Sequence, residues 1–192
     1  MKCILLSVTL MASLAVAQQP TYDFRSASWG ASVAQVKATE TAKVFNEANT
    51  GGKHVLTYRD VVAELPCYVV YVFIADQLVR AKYIFTQQHT NENAFIDDFN
   101  KIKNILIDKY GQPTADLTRW TNDLYRDHPD EWGKAVAAGH LQVGAQWKTE
   151  RSEILAGVKG DNFTLEHQVQ YTSESLRHLE EDIDKAATDK KF

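Results

Sequence analysis

The richest stretch of patterning in this chain lies between His54 and Gln87, where apolar positions crowd into strand-like runs. Within it, Cys67 to Phe85 predicts a hairpin with its turn at Asp76-Gln77. In that register Tyr71 faces Lys82 and Phe73 faces Arg80. One side then carries Val70, Val72, Ile74, Val79, Ala81, Tyr83 and Phe85, which is core material. The other side carries Val69, Tyr71, Phe73, Leu78, Arg80, Lys82 and Ile84, a mixed aromatic and cationic surface that needs a cover. Three further strands are expected near the C-terminus. Leu141, Val143, Ala145 and Trp147 alternate with polar residues. Ile154, Ala156 and Val158 form the next set. Phe163, Leu165, His167, Val169 and Tyr171 form the last, after a turn at 159–162.

Helical periodicity is clearest over Asn91–Tyr110, where Phe95, Phe99, Ile102, Leu106 and Tyr110 recur at three- and four-residue steps before Gly111 and Pro113. Ser32 and Gln35 form a capping box for a short helix marked by Val33, Val36 and Val44, broken at Asn49-Thr50-Gly51-Gly52. Pro129-Asp130-Glu131 opens another that stops at Gly139. The sequence thus predicts an α+β fold with a mostly antiparallel sheet and helices on one face. It is built from two loose helix-plus-three-strand units in a single domain over 18–172. A charged helical tail is expected at 173–192.

The N-terminus changes the picture. Lys2, the apolar run Ile4 to Met11 and Ala15-Val16-Ala17 match a cleavable secretory signal over residues 1–17, with Gln18 next. This predicts a periplasmic or extracellular, soluble protein without a membrane anchor. Losing Cys3 would leave Cys67 as a lone cysteine, expected to be buried and inert. The formal net charge of −4 comes from scattered residues. Without a basic stripe or polybasic patch, neither nucleic acid nor an anionic membrane surface is an expected partner.

The opening Phe24-Arg25…Trp29-Gly30-x-Ser32-x-x-x-Val36-Lys37 resembles that of bacterial exported proteins of unknown function, in which a WG-x-S-x-x-x-V helix start precedes an antiparallel sheet. The layout is also similar to envelope domains of the outer-membrane assembly lipoprotein type and of the β-lactamase-inhibitor type. That resemblance implies an interaction module without catalytic residues. The chain departs from the assembly lipoproteins in lacking a lipobox cysteine after the apolar run.

Candidate chemistry is sparse. His54, His89, His128, His140 and His178 fall in separate segments, with no H-x-x-x-H or H-E-x-x-H spacing. His167, between Leu165 and Val169, reads as a core histidine. Asp97-Asp98 and Glu180-Glu181-Asp182 read as solvated helix faces. There is no G-x-S-x-G elbow, phosphate loop or dinucleotide fingerprint. Asn162-Phe163-Thr164 is a glycosylation triplet. No catalytic residue, metal site or cofactor is therefore expected. The expected function is an exported binding or protein-interaction module with an envelope or secreted protein partner. Its surface would be built on Tyr71, Phe73, Arg80 and Lys82, with Trp120 and Trp132 as a second candidate. The alternatives are a hydrolase-type enzyme using His167 or His140 with a carboxylate such as Glu166, and a small-ligand carrier.

Overall fold

The computed structural model describes residues 22–189. The expected signal peptide at 1–17, the start at Gln18 and the last three residues of the expected tail lie outside them. The chain runs α1 (Val33–Thr39), β1 (Val44–Thr50), β2 (Lys53–Val62), β3 (Leu65–Ile74), β4 (Gln77–Phe85), α2 (Asn93–Tyr110) and the two-residue strands β5 (Ala115–Asp116) and β6 (Arg119–Trp120). It continues through a single 3-10 turn (Pro129–Glu131) to α3 (Trp132–Ala137), β7 (Leu141–Lys148), β8 (Ser152–Asp161), β9 (Thr164–Ser173) and α4 (Arg177–Asp189). All the strand pairs are antiparallel, in the order β1-β2-β3-β4-β9-β8-β7-β5, with β6 also on β7. Two meanders, β1–β4 and β7–β9, are thus welded along β4 and β9 into one α+β sheet.

The first meander has four strands rather than three. Val44–Thr50, expected at the end of the first helix, is the edge strand β1. Its residues are mostly exposed on both faces, and such an edge strand has no buried side to impose alternation. Its neighbour α1 starts where the sequence placed it. Ser32 Oγ accepts from the Gln35 backbone and Gln35 Oε1 accepts from the Ser32 backbone.

The Trp-Gly-x-Ser segment has a structural explanation. Trp29 donates Nε1–H to Ser152 Oγ at 2.9 Å, and its backbone N–H goes to Asp23, which Arg151 grips at 2.6 and 2.7 Å. Gly30 takes φ 81° and donates its N–H to Leu78 O. Val36, four residues after Ser32, is fully buried. The motif ties the N-terminal segment across β4 and the start of β8.

The main core lies between the sheet and α1, α2 and α3, with Phe24, Leu56, Tyr71, Phe73, Phe99, Trp147 and Ile154 among its members. The periodic residues of α2 all contribute, as the three- and four-residue spacing requires. Cys67 is buried here, and burial pushes its thiol up to about 11.

The hairpin differs from its expected form. Its turn is Ala75-Asp76, with φ 48° and 58°, and Val79 is an extra residue on β4: Val72 pairs with Arg80 but Phe73 pairs with Leu78. This β-bulge moves part of β4 to the other face. Tyr71 then pairs with Ala81 and Val70 with Lys82. Val69, Tyr71, Phe73 and Leu78 join Ala81 and Phe85 in the main core, while Val70, Val72, Ile74 and Val79 form a smaller cluster on the opposite face. The expected core side was therefore half inverted.

That second cluster is covered by the chain itself. Leu176, Leu179 and Ile183 of the C-terminal segment pack on it, and Glu180 reaches Arg80 at 2.6 Å and Lys53 at 3.8 Å. The expected tail is thus an amphipathic helix docked on the sheet, and helices lie on both faces. Among the described residues no helix is long and apolar enough to cross a membrane.

Candidate functional site

At the end of β4 the chain leaves the sheet through Thr86–Gln88 and returns as α2. The start of β9 runs beside that exit, and the β8–β9 turn leans on α3. These elements enclose a cavity of about 360 Å³ lined by Phe85, Gln87, Gln88, His89, Glu92, Phe95, Ala137, Phe163, Thr164, Leu165 and His167. Close backbone approaches shape it. A Cβ on Gly133 would lie 2.2 Å from Asn93 N, so only glycine lets α3 abut the start of α2.

A hydrogen-bond chain runs beneath this cavity. His89 Nε2 lies 2.6 Å from Asp98 Oδ2. Gln87 Nε2 donates to the same carboxylate oxygen at 2.9 Å and to His167 Nδ1 at 3.0 Å. The carboxylate fixes the orientation of the Gln87 amide, because turning it over would set oxygen against oxygen. His167 Nδ1 therefore accepts, and the neutral ring carries its proton on Nε2. Burial pushes the His167 imidazole down to about 4, against the opposing pull of Asp98, so it is neutral near pH 7. Its Nε2 and the Oε1 of Gln87 are both buried without a hydrogen-bond partner among the described residues. The chain thus ends in one unpaired donor and one unpaired acceptor. Packed against it are Phe85, tilted with its centroid 4.4 Å from that of the His167 ring, and Phe95, edge to face with the His89 ring at 4.7 Å.

His167 was read from the sequence as a core histidine, and it is 2 % exposed. Its partners were not legible, because Gln87, His89 and Asp98 come from other segments. Asp98 was read as part of a solvated face, yet its side chain is only 15 % exposed.

The expected interaction surface does not form. Tyr71 and Phe73 are 1 % and 0 % exposed, and the Tyr71 hydroxyl donates to Glu40, itself buried and held by Arg25. Arg80 and Lys82 lie on the opposite face, Arg80 engaged by Glu180 and Lys82 half-buried, with burial and Arg80 lowering its pKa. The bulge at Val79 is the cause of this separation. Trp120 and Trp132 do meet, edge to face with centroids 5.8 Å apart. Both pack partly against the main core, and Trp132 Nε1 donates to Arg126 O, so they anchor the loop between β6 and α3.

The pairings considered for an enzyme are not made. Glu166 pairs with Lys159 at 3.1 Å on the face opposite His167, and His140 stacks near Tyr125. Among the described residues no group of three or more His, Cys, Asp or Glu side chains is placed to hold a metal ion. A wider cleft beneath α1, about 590 Å³, is lined by no titratable side chain.

No family model, curated protein or solved structure matches the chain. The functional reading therefore rests on the cavity.

Proposed function

We propose that this is an exported binding protein that holds a small ligand in the cavity between β4, α2, α3 and β9. The observation that carries the reading is the buried chain His89–Asp98–Gln87–His167 ending in unpaired polar atoms beside that cavity. An unpaired buried donor or acceptor costs about 1–3 kcal/mol. Both atoms are buried behind the cavity lining, on either side of the Gln87–His167 hydrogen bond, so relieving them takes a ligand with separate accepting and donating groups and a small shift of these side chains. The cavity size falls at the lower end of the range for small-molecule sites. Export is supported by the secretory pattern of residues 1–17. Of the anchors expected for a protein partner, Tyr71 and Phe73 lie in the core.

The test is a fragment screen by NMR on residues 18–192, following the aromatic and imidazole signals of Phe95, His89 and His167. Fragments that bind in the cavity move these signals. Thr164→Trp, at an exposed position on the cavity wall, should block them while the rest of the spectrum stays native. Fragments that shift other regions only, or that bind equally well to the Thr164→Trp variant, would overturn the proposal.

A further inference from the structure

The charge and the walls of the cavity select among ligands. Its lining holds one carboxylate, Glu92, and no lysine or arginine. The Glu92 side chain makes no hydrogen bond or ion pair within the described residues. Lys134 feels its charge but is itself held by Glu131 at 2.7 Å. His167 is neutral, and His89 is engaged by Asp98. Three phenylalanine rings, Phe85, Phe95 and Phe163, complete the walls. Phe85 and Phe95 are buried against the His167 and His89 rings, so the open aromatic surface is that of Phe163. A carboxylate beside an open ring suits an organic cation, whose charge is attracted by both. The same walls would oppose an anion.

Phe163 carries a second, independent indication. The β8–β9 turn is Asn162-Phe163, not the expected 159–162, and its φ angles are 46° and 62°. Two-residue hairpin turns with both φ positive favour Asn-Gly, and a bulky residue at the second position is strained. Three other turns of this chain share the geometry. One is Gly51-Gly52, where glycine carries no strain, and in the other two the second residue makes a polar contact. Glu64 binds Lys101, and Asp76 accepts from the Val33 N–H. Phe163 has no such return: its ring is 72 % exposed and stands at the cavity wall, while its N–H is pinned to Ala137 O. Strain spent to hold an exposed aromatic ring at a cavity mouth has a use when the ring contacts what enters.

We infer that the ligand is a small organic cation with an apolar body, an amine or quaternary ammonium, held between Glu92 and the exposed ring of Phe163, with Phe85 and Phe95 forming the inner wall. Phe163 closes the outer side of the site and sets its selectivity for charge. This rests on the cavity being the binding site.

The experiment compares choline with its neutral carbon isostere, 3,3-dimethylbutan-1-ol, and with the anion 3,3-dimethylbutanoate, by titration calorimetry and NMR. Choline should move the cavity signals and bind roughly tenfold more tightly than the isostere, with the anion weakest. Glu92→Gln should erase most of that preference. Phe163→Gly should raise the melting temperature by about 2–4 °C, because glycine relaxes the turn, yet weaken choline binding at least severalfold. Cavity binding of the isostere or the anion as tight as choline would overturn the cationic class while leaving the cavity reading in place. Failure of all three probes to move the cavity signals would overturn the class too, and the fragment screen would then decide the cavity itself. Unchanged choline affinity in Phe163→Gly would remove Phe163 from the site.

Discussion

Replacing Phe73 with serine separates the two possible accounts of the central hairpin. If Phe73 lay on an exposed recognition surface, the change would cost little. In the structure it is wholly buried, paired with His54 on β2 and Leu78 on β4, with the His54 ring edge-on at 6.0 Å. Truncating a buried phenylalanine costs about 3–5 kcal/mol in lost transfer energy and cavity formation. A serine hydroxyl there has no partner and adds roughly 1 kcal/mol or more. The total, about 4–6 kcal/mol, approaches the whole stability of an ordinary domain. With a urea slope of about 2 kcal/mol/M, the midpoint should fall by roughly 2–3 M, or the protein should fail to fold. Urea titration followed by circular dichroism reads this directly. The milder Phe73→Leu should remain folded and lose about 1–2 kcal/mol. Leu124→Ser, at a loop position 64 % exposed, should change stability by no more than about 0.5 kcal/mol. A loss below 1 kcal/mol for Phe73→Ser, with an unchanged slope, would refute both the bulged register and the burial argument.

Two other outcomes follow from the cavity and its walls. His167 titrates near 6.5 when unfolded and near 4 in the fold, so the unfolded chain binds more protons between those values. Stability should therefore be complete above about pH 6.5 and fall as pH drops toward 4, by up to about 3 kcal/mol from this residue. Urea titrations at pH 7.5 and pH 4.5 check this, and a His167→Gln variant with the same acid sensitivity as the parent would contradict it. Gly160→Ala places a Cβ 2.2 Å from Val136 O and 2.8 Å from the Ala137 Cα. It should cost about 2–4 kcal/mol and speed amide exchange at Phe163, whose N–H bonds Ala137 O. Native exchange at Phe163 would argue that α3 is not seated on the hairpin.

How much of this was legible in the chain depended on the range of the forces involved. The capping box at Ser32, the period of α2, the alternation of β7 and β9 and the α+β class are local consequences of backbone geometry, written in residues a few positions apart. The strands of the central hairpin were legible too, but not which face each residue takes. One extra residue, Val79, inverts that assignment, and nothing local marks the bulge, because Leu78 and Val79 are both apolar and suit either face. Edge strand β1 escaped notice because a strand with little burial has no need to alternate. The charged C-terminus looked like a tail because Leu176, Leu179 and Ile183 acquire meaning only against Val70, Val72 and Val79. The cavity belonged wholly to the tertiary structure. His89 and Asp98 bracket the start of α2, Gln87 leaves β4 and His167 opens β9, and only the pairing of β4 with β9 brings them within hydrogen-bond reach. Hydrophobic periodicity therefore determined the elements, and the sheet register decided which side chains meet, because a shift of one residue exchanges every neighbour a strand has.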